Sequence, residues 1–355
     1  MAVSYHRAIF RLLAIVGFTS QWGFMVFNGK FLEWVSTRLK GEFPSGSPLK
    51  ESFSGFWPVD FSLGLLVTFF GSLAIPSELP NLGPVLLLLD LVFALAVVNM
   101  MTLVEDRRNR KTGSLRYPAL WQSLNNSLGA ASILPIYLEQ YLNRQPKAQH
   151  PLSDAQADAL PFSAAWSIAI SLPVFIAPLA GASAFGIQDA IVLWFLLPHT
   201  LGIFQDLTSF AIPSIRIGRP TNSPVKLAYG IVGTASAIIH VGVCFWAVFN
   251  PNLSLSSIYW PNHSSVKSES FAFTAVAVIF TQYDFPVIYL SLFATGYYIF
   301  KSEERKSGTR SQSASLMATL VVISAVFGPG AGLAWLLCHK ETLQEAERAV
   351  SSHGD

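Results

Sequence analysis

The chain reads as long apolar runs separated by short polar loops. A helix that crosses a hydrocarbon core of ~30 Å needs roughly 20 mainly apolar residues. Runs of that kind predict spans at 8–27, 61–75, 84–104, 118–142, 162–182, 187–210, 227–249 and 316–337. The stretch 271–300 is too long for one straight crossing, and Thr281–Pro286, T-Q-Y-D-F-P, interrupts it. A half-helix or kink is predicted there with a span after it, because an internal proline removes a helical hydrogen bond and clashes with the turn before it. Pro173 and Pro178 predict a kink in the run 162–182. The predicted fold class is all-α, a polytopic transmembrane helical bundle of about eight to ten membrane segments. It forms a single integral-membrane domain over 1–355 with a charged C-terminal tail at 339–355, and no internal repeat is visible.

Composition agrees with the pattern. Of 355 residues, 52% are hydrophobic and 12% charged. The charged share is about half the ~25% usual in soluble domains. Mean hydropathy is +0.45. The net charge of +2 does not call for nucleic acid, since the basic residues sit in loops as membrane topology requires. Arg7 and Arg11 precede the first apolar run as in a signal peptide, but no small-x-small pattern follows before Asn28-Gly29-Lys30, so a retained first span is predicted. Cys244 and Cys338 lie inside apolar runs and are expected to pack as small apolar residues. No Cys/His spacing suits a metal, and neither metal nor cofactor is expected.

The densest charge cluster is Leu103–Pro118, where Glu105 and Asp106 face Arg107, Arg108, Arg110, Lys111 and Arg116. On a continuing helix, Glu105 with Arg108 (i,i+3) and Asp106 with Arg110 (i,i+4) meet on one face. One reading is a carboxylic acid tuned by its neighbours for proton donation at the mouth of an intramembrane site. The other is a charged helix end that stops the span. Asp284 is the second candidate acid, inside an apolar stretch beside Pro286, because an ionisable group at membrane depth asks for a reason. Gln282 and Tyr289 are seven apart and share a face with each other. The alternative there is a short interfacial turn. His199 and Asp206 read as a polar cavity wall or as interhelical hydrogen bonds. Asp90 and Asp189 lie near predicted span ends and are weaker candidates. Aromatics make up 13% of the chain, which suits a cavity that holds a cation against ring faces. Interfacial rings are the competing account of any single one. Gly328-Pro-Gly-Ala-Gly332 has small-xxx-small spacing for close helix packing.

Asn252-Leu-Ser254 and Asn262-His-Ser264 are glycosylation sequons in one loop, which suggests a lumenal side. Lys301, Arg305, Lys306 and Arg310 then fall on the cytosolic side, in agreement with the positive-inside rule. Counting back by single crossings puts Arg216 and Arg219 in the cytosol and the Glu105 cluster in the lumen. The second placement is disfavoured. Either the fourth segment does not cross, or those bases are held in a protein cavity.

Glu105-x-x-Arg108, Tyr117-Pro-x-Leu-Trp121, Leu134-Pro-x-Tyr137 and Gln282-Tyr283-Asp284 together resemble the fungal integral-membrane terpene cyclases of meroterpenoid pathways, of the ascochlorin/ascofuranone and macrophorin type. The resemblance runs from about residue 60 to 340 as a pattern of spans and short motifs. In that family an Arg and then Gly-Asn-Arg follow the Glu. Here Asn109 follows Arg108 directly, a departure that puts a role for Asn109 in doubt. The resemblance implies cyclisation of a farnesyl-type prenyl chain on a secondary metabolite, started by protonating a terminal epoxide or alkene. The chain lacks the paired Asp motifs of Mg²⁺-diphosphate chemistry, which fits that start. The implied catalytic residues are Glu105 and Asp284, with Arg108, Asp206, Gln282, Tyr283 and Tyr289 binding substrate. The implied partners are a hydrophobic prenylated small molecule, the lipid bilayer and an upstream epoxidase in the same endoplasmic-reticulum membrane. A small-molecule transporter, marked by related halves with paired broken helices, and a sterol-isomerase-like membrane protein are the rival readings.

Overall fold

The computed structural model describes residues 2–108, 113–144, 152–211, 224–267, 272–307 and 310–351. Asn109, Arg110, Lys111, Arg216 and Arg219 lie outside the described residues. The elements in chain order are α1 (Ala2–Phe18), a π turn (Thr19–Gly23), α2 (Phe24–Phe27), α3 (Lys30–Lys40), α4 (Trp57–Ala74), α5 (Gly83–Arg108), α6 (Pro118–Leu128) and α7 (Ala130–Arg144). They continue with α8 (Asp154–Ala169), α9 (Pro173–Leu179), α10 (Ala184–Leu196), α11 (Thr200–Ala211), α12 (Pro224–Phe249), α13 (Leu255–Tyr259), α14 (Ala272–Ser307) and α15 (Arg310–Ser351). The described residues form no sheet, only an isolated bridge between Glu42 and Pro48. Among the described residues, seven helices are long and apolar enough to cross a membrane, or eight if the pair α8–α9, bent by 41°, is one span. The molecule is therefore the predicted polytopic helical bundle.

The central helix is α5, whose residues are buried nearly all round. A helix that is apolar on every face belongs inside a bundle. Helices α12, α8, α14 and α15 pack around it. One end of the bundle carries the ion pairs Arg108–Glu341, His339–Glu303 and Lys340–Glu105, and is termed the basic end below. The opposite end carries the turn after α4 and the sequon loop: Thr274 donates to the Glu78 carbonyl, and Leu253 lies by Gly83.

Three sequence expectations are corrected. First, 118–142 is not one span. It breaks at Gly129, whose φ of 87° is open to glycine at little cost. Trp121 and Tyr137 would be about 24 Å apart along a straight helix. Their rings instead pack 5.3 Å apart, centroid to centroid. Helices α6 and α7 thus fold back on each other, with both outer ends at the basic end and the apex inside the bundle. Second, α14 is one continuous helix through Pro286, so the predicted break at Thr281–Pro286 is absent. Flanking helices hold the helix together where propensity alone argued for a break.

Third, the last apolar run is not a straight crossing either. The backbone of α15 is non-helical at Gly328 (φ 87°, ψ 164°), followed by Pro329. Ser313 hydrogen-bonds Glu304, and His339 reaches Glu303 at 3.4 Å. Residues 313 and 339 would lie about 39 Å apart on a straight helix, too far for both to meet neighbouring residues. The chain reverses at Gly328. A Cβ on Gly332 would stand 2.0 Å from Ser324 Oγ, so the two legs touch.

These reversals resolve the orientation problem. The fourth segment returns to the end it left, so the Glu105 cluster lies at the same end as Lys301, Arg305 and Lys340. It does not sit beside the sequon loop.

Candidate active site

A cavity of about 230 Å³ lies between α4, α5, the π turn, α14 and the apex of α6–α7. Its wall is aromatic, with Trp22, Trp34, Phe69, Phe70, Trp194 and Phe280. The rings are locked edge to face. Trp22 meets Phe280 at 5.4 Å, Phe69 meets Phe280 at 5.1 Å and Phe70 meets Trp194 at 4.8 Å. Such contacts favour the partial positive edge of one ring on the negative face of the next. Ring faces turned to a cavity attract cations. Leu88, Leu91, Val92 and Leu95 close the α5 side.

Asp284 is the ionisable residue lining this cavity among the described residues. The side chain comes from the middle of α14, and the residue is 3% exposed. Its Oδ1 accepts from the Ala131 backbone N–H at 2.6 Å and from Gln21 Nε2 at 2.9 Å. The first donor exists because α7 starts at Ala130, and the opening N–H groups of a helix lack partners within it. Gln21 is held in turn. Its Nε2 also donates to the Phe280 carbonyl at 3.0 Å, and its Oε1 accepts from Ser132 Oγ at 3.2 Å. A π turn carries Gln21, a geometry that recurs at functional sites. Close approach also demands Gly129, where a Cβ would stand 2.4 Å from Gln21 Oε1. The apex thus presents Asp284 to the cavity while neutral groups hold one of its oxygens.

Glu105 occupies a different environment, outside that lining. Arg108 binds Glu341 through two bonds of 2.8 and 2.5 Å and Glu105 through one of 3.4 Å. Lys340 lies 3.7 Å from Glu105 and donates to Tyr141 Oη at 2.5 Å. Its Nζ also stands 4.2 Å from the centre of the Tyr141 ring. Two carboxylates and two cations thus balance in a buried network that ties α5, the second leg of α15 and α7 together. The expected Glu105–Arg108 pair exists. Asp106 pairs with Arg107.

The remaining candidates do not line the cavity. Asp206 binds Arg107 at 3.2 Å and accepts from Gln156 at 3.1 Å, with a side chain 40% exposed. Gln282 donates to the Ser257 and Ile258 carbonyls, Tyr283 pairs with His263 at 3.0 Å, and Tyr289 donates to the Ser324 carbonyl at 3.0 Å. His199 bonds Ser123 at 2.9 Å at the surface. Asp189 pairs with Lys50. Asp90 is fully buried and binds His240 at 2.7 Å and Tyr259 at 2.6 Å, beside the Gly328 apex. No group of three or more His, Cys, Asp or Glu among the described residues is arranged to hold a metal.

Sequence reasoning missed Gln21, Asn125, Asn126 and Gly129. The signal for Gln21 was present, as a lone amide in an apolar span. Asn125 and Asn126 were visible as polar residues inside a run read as a crossing, and the crossing hid their use.

The chain matches the CtvD domain family over residues 6–343. It is 25% identical to terpene cyclase DEP1 of Fusarium langsethiae, covering 93% of this chain and 96% of the relative. It is 26% identical to terpene cyclase DEP1 of Alternaria brassicicola, covering 94% and 97%. A further relative is terpene cyclase alnG of Emericella nidulans, 24% identical over 91% and 90% of the two chains. No solved structure matches.

Proposed function

The chain belongs to the CtvD domain family, and from that premise we propose that it is a membrane-bound terpene cyclase that closes a prenyl chain of a meroterpenoid by protonating a terminal epoxide or alkene. One observation carries the reading: among the described residues Asp284 is the ionisable group presented to a cavity walled mainly by aromatic and aliphatic side chains, with Ser62, Asn125, Asn126, Ser127 and Thr281 as its uncharged polar residues. The names of the three relatives support the cyclisation itself.

Asp284 gives its proton to the epoxide oxygen, whose C–O bond opens to leave a hydroxyl and a tertiary cation. With an alkene, the proton bonds to the CH carbon of the terminal double bond instead, and the tertiary cation forms at the dimethyl-substituted carbon. The next double bond supplies the electron pair of the new C–C bond and passes the positive charge along the chain. Faces of Trp22, Trp34, Phe69 and Phe280 stabilise that charge while water is kept away. Loss of a proton, or capture by an oxygen of the substrate, ends the cascade, and the released proton restores the acid. Donors on Oδ1 suit this role, because they hold the carboxyl in place and leave the other oxygen to carry the proton.

The transporter reading expects related halves with paired broken helices, and no internal repeat is visible in the sequence. Expression in microsomes with prenylated terminal epoxides and the matching alkenes, followed by product analysis, tests the proposal. Asp284→Asn is expected to accumulate in the membrane without forming cyclised product, and full activity in that variant would refute the assignment. The same reading places the protein in the endoplasmic-reticulum membrane, beside an upstream epoxidase, with the basic end in the cytosol. A glycosidase-sensitive mass at Asn252 or Asn262 would support that orientation, and protease access to that loop in sealed microsomes would reverse it.

A further inference from the structure

The last turn of α6 reaches the cavity with three consecutive polar residues, Asn125, Asn126 and Ser127. Asn125 differs from the other two in being buried, with 4% of its surface exposed. Its Oδ1 has no hydrogen-bond partner among the described residues. Leaving a buried carboxamide oxygen unpaired costs about 1–3 kcal/mol, so a residue kept in that state calls for a partner outside the chain. That oxygen is itself enclosed, on a residue that lines the cavity. The Asn125 carbonyl accepts from the Gly129 N–H at 3.1 Å, one turn on. The Ala131 N–H, two residues past Gly129, holds Asp284. Asn125 and Asp284 therefore flank the same apex and line the same cavity of about 230 Å³.

We infer that Asn125 is a positioning residue whose carboxamide holds an oxygen atom of the substrate in the cavity beside Asp284. The inference deepens the cyclase reading and rests on it for the reaction. A carboxamide both donates, from Nδ2, and accepts, at Oδ1. It therefore pairs with an ether-type oxygen before ring opening and with the hydroxyl formed from it afterwards. The indole N–H groups of Trp22 and Trp34 already donate to the Leu128 and Leu65 carbonyls, and Thr281 Oγ1 to the Ala277 carbonyl. Sites that leave a polar group unpaired when the matching substrate group is missing discriminate strongly against the analogue.

The test compares a prenylated terminal epoxide with the corresponding alkene, in microsomes carrying the full chain. For the unchanged protein, kcat/KM for the epoxide should exceed that for the alkene by at least about ten-fold. Asn125→Leu should erase most of that ratio by lowering epoxide turnover while alkene turnover stays within a few-fold. Asn125→Gln, which keeps the carboxamide, should restore part of it. If Asn125→Leu lowers both substrates equally, or leaves the ratio unchanged, Asn125 serves the fold or holds only water, and the inference is overturned. Should Asn125→Leu fail to accumulate, Asn125→Ala is read in the same way. Protection against heat by each ligand in detergent gives a second readout that needs no turnover. Asp284→Asn separates the two ideas. Activity surviving in that variant removes the proton-donor reading, while the epoxide-to-alkene ratio still judges Asn125.

Discussion

Glu105 and Asp284 are both buried in this bundle, and their surroundings differ in kind. Glu105 has cations on either side, with Arg108 at 3.4 Å and Lys340 at 3.7 Å. Asp284 has only neutral donors, from Gln21 and Ala131, and faces an open cavity. A carboxylate between cations is bound by Coulombic attraction, and its energy belongs to the fold. A carboxyl group held by neutral donors at the edge of a cavity is free to exchange a proton with what enters. On the proposed reading chemistry belongs to Asp284 and architecture to Glu105, although sequence depth alone ranked them together. The sharpest way to break the comparison is Asp284→Asn. Removing a general acid costs about 10²–10⁴-fold, and turnover measured in microsomes should fall by at least the lower figure with accumulation unchanged.

The next largest effect belongs to the other acid's partner. Arg108→Met removes the cation that Glu105 and Glu341 share. Breaking a buried pair by removing one member costs about 3–5 kcal/mol. Accumulation and the detergent melting temperature should both drop, and the products formed by the surviving protein should be unchanged. Glu105→Gln should also lose stability while cyclising at a rate per folded molecule near that of the parent. An inactive Glu105→Gln that melts normally would place chemistry at the basic end and undo the contrast.

How much of this was legible beforehand follows from what sequence patterns encode. Apolar run length reports burial in lipid or protein, so α1, α5, α12 and α14 were visible as helices. It does not report whether a run crosses. The run 118–142 has the length and polarity of a span, yet one residue, Gly129, turns it back. Gly328 does the same to the final run. Conversely, Pro286 looked like a break, and packing kept α14 helical through it. Asp284 was legible because an acid at depth is costly wherever it sits. Its partner Gln21 is 263 residues away in sequence, and no local pattern links the two. Asp90 was underrated because nearness to a span end was taken as nearness to water. Its partners His240 and Tyr259 come from later elements.

The two apices extend the comparison to smaller effects. Gly129→Ala puts a Cβ 2.4 Å from Gln21 Oε1 and strains a φ of 87°. Strain of that kind costs about 1–3 kcal/mol, and here it falls on the groups that orient Asp284. Activity should drop more than melting temperature does. At Gly328→Ala the Cβ meets the His240 ring at 2.7 Å, away from the cavity lining. Melting temperature should drop there, while the rate per folded molecule stays close to that of the parent. If both variants lose activity and stability in the same proportion, the α6–α7 apex has no special tie to the chemistry.

The smallest effect is expected at Asp206, which sequence reading grouped with the substrate-binding residues. Its pair with Arg107 is 3.2 Å long, but the Asp206 side chain is 40% exposed. Exposed ion pairs are worth about 0–1 kcal/mol because water and salt screen them. Arg107 keeps other partners when the pair is lost, since it also binds Asp106 and donates to the Gly202 carbonyl at 2.7 Å. Asp206→Asn retains an oxygen for Gln156 Nε2, which now bonds Asp206 at 3.1 Å. Melting temperature and cyclisation rate should therefore stay within one or two degrees and about two-fold of the parent, given a cost below ~1 kcal/mol. A large loss of turnover without a loss of stability would mean that substrate meets the basic end on its way in. Asp206 and Arg107 would then line an entry path rather than a surface ion pair, and the division between an architectural end and a chemical centre would have to be redrawn.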